Sequence, residues 1–375
     1  MPGKARTVEQ VANQGGPTSP SGAMGPGPEG LGAHGGSRAK LRSLAGARVV
    51  VTGGSGFIGG HVVAALCQLG AQVLSVDRRS APERWRCHPV VGESGGGVVG
   101  ESGGGGHDGY QGRHQVQALQ GDLRDRSVVE AAVPPGTRAI VHLAAQTQVL
   151  RSLEDPQGTF DNNVAVMHAL LERARELHVG CFVFASTNAV VGAGATGTLH
   201  EGAALAPLTP YGATKAAGEM LLSCYNAAYG VRGVALRFTN VYGPGMSEKD
   251  SIVPRLMRVA QSGGAFDVYG DGKQVRDYVN VADVTEAVLL ALAEEEMSGP
   301  VIIGSGTSVS VLEVIEVVEA ALARRVNLRH VPPKAGEMPA VVVDNARAKS
   351  FGWEPRVSLE QGVAEVAAEW GALGA

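Results

Sequence analysis

Short apolar runs alternate with stretches of helical period over the first half of the chain. Arg48–Thr52, Gln72–Asp77, Val116–Leu119, Ala139–Leu143 and Cys181–Ala185 each have the length and composition of a buried strand. Helix-length periodic segments lie between them, one starting near Phe57 and another opening at Pro210 and running to about Tyr229. Strands separated by helices pair in parallel, with the helices covering both faces of the sheet. After about Val241 the pattern loosens, with Pro and Gly punctuation and helices near 252–262, 283–295 and 310–324. The pattern predicts an α/β protein: a doubly wound parallel sheet followed by a smaller C-terminal α/β lobe.

Two stretches fall outside the pattern. Residues 1–45 are rich in Gly, Pro and Ser with almost no periodic apolar positions, so they bury too little to offset the entropy of ordering and are expected to form a disordered tail. Residues 92–112 carry GESGGG twice, at Gly92–Gly97 and Gly100–Gly105, and are expected to form a flexible surface insertion.

Composition narrows the field. A chain of 375 residues with 44% hydrophobic content can bury two lobes. A formal net charge of -4 without a basic block gives no long-range attraction for nucleic acid or anionic lipid. Cys67, Cys87, Cys181 and Cys224 form no CxxC pair and have no histidine spacing suited to zinc, so no metal is expected and the thiols read as reduced. No apolar run reaches the roughly 18 residues that span a bilayer, and the N-terminal residues lack a secretory apolar region. A cytoplasmic location is the expectation.

Chemistry enters at the end of the first strand. Thr52-Gly-Gly-Ser-Gly-Phe-Ile-Gly59 places Gly53, Gly56 and Gly59 where a chain must turn tightly, approach a pyrophosphate and pack a helix on its strand. The anion then meets the helix amides and the positive end of the helix dipole. Asp77 ends the second strand roughly 20 residues on, where an acid accepts from a ribose 2'-hydroxyl and repels a 2'-phosphate. That favours NAD, while Arg78 and Arg79 leave NADP open. Alone, Asp77 also suits a turn.

The second cluster is Tyr211 and Lys215, four apart at the start of a helix and therefore on one face. An ammonium beside a phenol favours the phenolate, a usable base. Upstream, Phe182-Val-Phe-Ala-Ser-Thr187 ends a buried strand in two hydroxyls, and Thr187 is placed either to relay a proton or to cap the strand end.

Together with Gly121-Asp-Leu123, Val141-His-Leu-Ala-Ala-Gln146, Asn163-Val164, Leu236-Arg-Phe-Thr-Asn-Val-Tyr-Gly-Pro244, Tyr269-Gly-Asp-Gly-Lys-Gln-Val-Arg-Asp-Tyr278, Ile303-Gly-Ser-Gly306 and Phe351-Gly-Trp-Glu-Pro355, these motifs resemble the extended short-chain dehydrogenase/reductases. The resemblance is to their NAD-dependent epimerase/dehydratase group, which includes UDP-glucose 4-epimerases, and it covers roughly residues 47–370. It implies a Rossmann-type NAD-binding domain over 46–241 and a nucleotide-sugar lobe over 242–375, some segments of which return to the first domain. It also implies roles. Gly53, Gly56, Phe57, Ile58 and Gly59 would cradle the dinucleotide, with Asp77 and Arg78 at its ribose and Asp122 and Leu123 at the adenine side. Leu143, Ala144, Ala145, Gln146 and Thr239 would line the cofactor and Asn163 would brace the central helices. Thr187, Tyr211 and Lys215 would be catalytic, and Asn240, Arg276 and Lys334 would face the sugar nucleotide with Thr187.

Simpler roles compete: a salt bridge from Arg276 to Asp277 or Asp283, and loop capping by Asn240. The resemblance further implies a homodimer through helices over 159–178 and 210–229, where Leu170, Leu171, Met220 and Leu221 offer apolar surface that also suits the core.

Departures from the family pattern sharpen the expectation. Asn188 and Ala189 follow Thr187, where dehydratases carry an acid pair, which disfavours 4,6-dehydration. Gly245 follows Tyr-Gly-Pro where enzymes of uronic acids carry arginine, which favours a neutral hexose. Val191 replaces a usual tyrosine, and Lys334 replaces an arginine near the diphosphate, giving a point charge in place of a fork. The expected activity is a nucleotide-sugar 4-epimerase working through a 4-keto intermediate. The alternatives are a 4-keto-sugar reductase consuming NAD(P)H, then a UDP-uronate epimerase or a dehydratase, and last a non-catalytic dinucleotide-binding protein.

Overall fold

The computed structural model describes residues 40–82, 116–192, 197–332 and 341–373. The expected tail up to residue 39, the insertion over 92–112, Cys87 and Lys334 lie outside the described residues.

In chain order the first half comprises β1 (Arg48–Thr52), α1 (Phe57–Gln68), β2 (Gln72–Asp77), β3 (Val116–Gln120), α2 (Arg126–Ala132), β4 (Ala139–His142), α3 (Val149–Glu154), α4 (Pro156–Phe160), a wide helical turn over Asp161–Ala165, α5 (Val166–Glu176), β5 (Cys181–Thr187), β6 (Thr198–Leu199), α6 (Pro210–Tyr229) and β7 (Arg232–Phe238). The second half comprises β8 (Asn240–Tyr242), α7 (Ile252–Ser262), β9 (Ala265–Tyr269), β10 (Val275–Asn280), α8 (Val281–Ala293), β11 (Gly299–Ile303), β12 (Ser308–Ser310), α9 (Val311–Leu322), β13 (Asn327–Val331), β14 (Val342–Val343), α10 (Ala346–Ser350) and α11 (Leu359–Leu373).

Seven strands form one parallel sheet in the order β11-β7-β5-β4-β1-β2-β3. The chain winds outward from β1 through β2 to β3, then crosses over to β4 and winds the other way, so the order reverses between β1 and β4. Ligands of doubly wound sheets sit above the strand ends at such a reversal. Thr52 stands opposite both Val76 and His142 there. Helices on both faces explain why β1 reads as a continuous apolar run. Val49 and Val51 pack into one layer with Val62 and Leu66 of α1, and Val50 into the other with Ile140, Phe182, Leu170 and Leu171. Leu170 and Leu171 are thus intramolecular core.

A third apolar layer, including Val253, Leu256, Phe266, Val314 and Trp370, holds the C-terminal elements together. Around it lie the small sheets β12-β10-β8 and β13-β9. A single residue, Thr239, separates β7 of the large sheet from β8 of the small one, so the chain passes between the two layers directly over the crevice.

His142 ends β4 fully buried, paired with the Thr52 hydroxyl at 2.7 Å through Nδ1 and stacked on Phe184. Burial, aided by Lys215, depresses its pKa to about 3. The folded state therefore refuses a proton that the unfolded chain accepts below pH 6.5, and stability is lost as pH falls from there toward 3. Chemical unfolding at pH 7 and pH 5 should show His142 contributing about 2 kcal/mol of the acid loss. His142→Phe should flatten the pH slope by that amount, and an unchanged slope would exclude this origin.

Candidate functional site

The turn between β1 and α1 is built by close backbone approach. Gly53 has φ +73°, and a Cβ there would lie 2.7 Å from the Ala144 nitrogen; a Cβ at Gly59 would lie 2.1 Å from the Gly53 carbonyl oxygen. Gly56 forms the N-cap of α1, which has no side-chain cap and no acid in its first turn. The positive end of the helix is thus presented to the crevice without a carboxylate of its own. Beside it, Asp77 accepts from the backbone nitrogens of Ser55 (3.1 Å) and Arg79 (3.0 Å). Arg79 in turn donates to the Ser55 carbonyl at 3.0 Å and pairs with Glu248 at 3.3 Å. Further along, Asp122 is clasped by Arg124 at 2.6 Å, which lowers its pKa.

Thr187, Tyr211 and Lys215 meet above the end of β5. Pro210 opens α6, and the Thr209 hydroxyl caps it by accepting from Gly212 nitrogen, which sets Tyr211 in the first turn and Lys215 one turn on. The Thr187 hydroxyl accepts from Ala189 nitrogen at 3.3 Å and lines the cavity together with Tyr211, close enough to the phenol to act on its ionisation. Lys215 donates to the Ala185 carbonyl at 2.7 Å and lies 4.6 Å from the centre of the Phe184 ring. Burial drives its pKa down to about 7. Burial also pushes Tyr211 up to about 12 despite the nearby Thr187 hydroxyl. Burial thus disfavours the phenolate in the protein alone, while the Lys215 ammonium is committed to a backbone carbonyl.

Behind this trio, Glu219 accepts from Ser186 Oγ, from Arg237 Nε at 2.9 Å and from Arg237 Nη2 at 2.7 Å. Asn163, carried by the wide turn after α4, accepts from Gln146 nitrogen and donates to its carbonyl and to the Thr214 hydroxyl.

A cavity of about 580 Å³ runs along the strand ends. Gly53, Gly56, Phe57, Ile58, Gly59, Asp77, Arg78, Asp122, Leu123, Leu143, Ala144, Ala145, Thr187, Tyr211, Lys215, Thr239 and Asn240 line it, as the sequence motifs imply. Gln146 and Asn163 stand behind its wall. Arg79, Lys249 and Ser251 also line it; Lys249 and Ser251 belong to no motif, and only the fold brings them to the cavity. A second cavity of about 270 Å³ is lined by Asn240, Tyr269, Gln274, Arg276 and Tyr278, among others. Asn240 donates to the Asp277 carbonyl at 2.9 Å, and Asp277 accepts from Ser305 and Gly306. Asp283 receives the backbone nitrogens of Arg356 and Val357.

These residues fit a dinucleotide. The glycine cradle leaves room that any Cβ would close, Asp77 offers an acceptor at one end, and the buried Thr239 hydroxyl, which has no hydrogen-bond partner, waits at the other. Among the described residues no cluster of His, Cys, Asp or Glu is placed to hold a metal ion, and no helix is long and apolar enough to cross a membrane. Gly59→Ala is expected to weaken NAD binding by at least about tenfold in titration calorimetry, since backbone must move to admit the methyl. Unchanged affinity would contradict the cradle.

Comparison with known proteins agrees with this geometry. The chain is 28% identical over 342 residues to the UDP-glucose 4-epimerase of Halalkalibacterium halodurans, covering 86% of this chain and 95% of that one. It is 30% identical over 324 residues to a dTDP-glucose 4,6-dehydratase of an Actinoplanes species, covering 86% and 97%. Among solved structures, the Thermus thermophilus UDP-glucose 4-epimerase in complex with NAD superposes with a TM-score of 0.73 at 31% identity, covering 86% of this chain and 99% of that one. Residues 49–304 match the model of the NAD dependent epimerase/dehydratase family, and the chain belongs to that family.

Proposed function

We propose that the protein is a nucleotide-sugar 4-epimerase of the UDP-hexose type that uses NAD in a closed cycle. The observation that carries this is the meeting of Thr187, Tyr211 and Lys215 on one cavity wall, at a strand end that continues as Asn188 and Ala189. This supports a proton route to one hydroxyl, with Asn188 and Ala189 standing where the family's dehydratases carry acids.

NAD, held by the glycine turn, Asp77 and the Leu143–Ala145 wall, would supply a reversible hydride acceptor for the sugar C4. The protein's part is to move one proton and hold the sugar. Tyr211, as phenolate, takes the proton of the sugar 4-hydroxyl, relayed by the Thr187 hydroxyl, and gives it back after the 4-keto sugar has presented its other face. A phenol held at about 12 needs a positive charge over the ring to serve near neutrality. Lys215 anchors the helix turn beneath it through Ala185. Asn240 and Arg276, on paired β8 and β10, hold the diphosphate while the pyranose turns, Arg276 with the fork that suits two phosphate oxygens. Gly245 supports a neutral sugar, because its nitrogen holds the Glu369 carboxylate at 2.8 Å, an anion where a uronate would need a cation.

Purified protein given UDP-glucose or UDP-N-acetylglucosamine without added reductant should yield the 4-epimer by NMR. No conversion until NAD(P)H and a 4-keto sugar are supplied would move the assignment to a reductase. Tyr211→Phe should lower kcat by about 10²–10⁴-fold with NAD affinity retained; near-normal turnover would exclude Tyr211 as the base.

We further propose a homodimer. Leu153, Phe160 and Met220 are 56%, 49% and 63% exposed on α3, α4 and α6, which pack against one another. Light scattering should show twice the 38.5 kDa chain mass and Met220→Glu should halve it; a 38.5 kDa species for the unaltered protein at micromolar concentration would refute this.

A further inference from the structure

The loop joining β8 to α7 carries a lysine that no motif marks. Its backbone is fixed by α7: Arg258 donates through Nη1 to the Ser247 carbonyl and through Nη2 to the Lys249 carbonyl, each at 2.9 Å. Lys249 nitrogen closes the turn onto the Met246 carbonyl at 2.9 Å. From that anchor the side chain reaches the crevice. Lys249 is exposed, and its Nζ lies 5.9 Å from the centre of the Phe57 ring, at the first residue of α1. Lys249 lines both the dinucleotide cavity and the wider mouth beyond it.

The ammonium is short of counter-charge. Its proton affinity is lowered by burial and by Arg79, with no acid acting against them. Of the other cations lining the cavity, Arg79 is engaged with Glu248 and the Ser55 carbonyl and Lys215 with the Ala185 carbonyl, while Arg78 follows Asp77 at the end of β2. Beside Lys249 stands the amino end of α1, worth about half a positive charge. Two positive groups therefore converge on one gap, which is the arrangement an anion stabilises.

We infer that Lys249 is a cofactor-binding residue whose ammonium pairs with the diphosphate of the dinucleotide across from the amino end of α1. The anion is the cofactor's diphosphate and not the sugar nucleotide's, because Lys249 shares a wall with Gly53, Gly56 and Phe57 and is absent from the cavity of Arg276 and Tyr269. The C-terminal lobe thereby takes part in holding the cofactor: the segment that leads from Asn240 to α7 is tied to the dinucleotide by one ion pair. The inference rests on dinucleotide binding and is independent of which sugar reaction follows.

The full-length chain, its Lys249→Ala and its Lys249→Arg variants would be titrated with NAD, with ADP-ribose, with UDP and with UDP-glucuronate. Lys249→Ala is expected to weaken NAD and ADP-ribose about tenfold, the loss of one charge-assisted contact, with less salt dependence. Lys249→Arg should restore affinity to within about threefold, and the UDP ligands should be unaffected. NAD and ADP-ribose affinities unchanged in Lys249→Ala would overturn the inference. A loss confined to UDP and UDP-glucuronate would overturn it by assigning the lysine to the sugar nucleotide, and a loss confined to UDP-glucuronate would assign it to a sugar carboxylate. Because the readout is binding, failure of the epimerase assay leaves this test intact.

Discussion

The Glu219 carboxylate, sealed in the core with Arg237, is the group on which the reactive half of the site depends. It accepts from Ser186 at the end of β5 and from the Arg237 fork on β7, and is itself carried on α6. The next residue after Ser186 is Thr187, Lys215 lies one turn before Glu219, and Thr239 and Asn240 follow Arg237 closely. One buried ion pair thus sets three elements in register, and each delivers a site residue. Arg237 also donates to the Glu201 carbonyl, whose side chain receives Ile302 nitrogen of β11. Buried pairs of this kind add little net stability but cost about 3–5 kcal/mol when one partner is removed, so they specify an arrangement more than they strengthen it.

The other half of the site depends on close approach. Gly53 and Gly59 let β1, the Ala144 turn and α1 come within contact that no side chain tolerates. The two halves meet at the point where strand order reverses. Thr187, Tyr211 and Lys215 sit over β5 and α6, while the glycine turn sits over β1 and α1. The C-terminal lobe touches both, through Asn240 beside the trio and through the Arg79–Glu248 pair beside the glycine turn.

What was legible in the sequence was local. The buried strands read as apolar runs because helices cover both sheet faces, and the glycine turn, Asp77 and the Tyr211–Lys215 spacing are short-range patterns whose geometry follows from strand and helix periods. Contacts between distant segments left no such mark. The two-residue pairing of β6 with β14, the Arg79–Glu248 contact and Lys249 over Phe57 join residues far apart in the chain. Burial is equally non-local: it places Leu170 and Leu171 in the core and raises the pKa of Tyr211. Asn163 stands behind the wall on the wide helical turn and hydrogen-bonds the backbone of Gln146, so Gln146, expected to line the cofactor, is held behind the wall by a contact between distant segments.

The central claim is that hydride leaves and returns to the same carbon within one closed site. Its most direct test is UDP-glucose carrying deuterium at C4, incubated in ordinary water with the protein and no added nucleotide, the product being read by mass spectrometry and NMR. The expected product is the 4-epimer with its C4 deuterium retained. Product that has lost the label to solvent or to a free nicotinamide pool would contradict it.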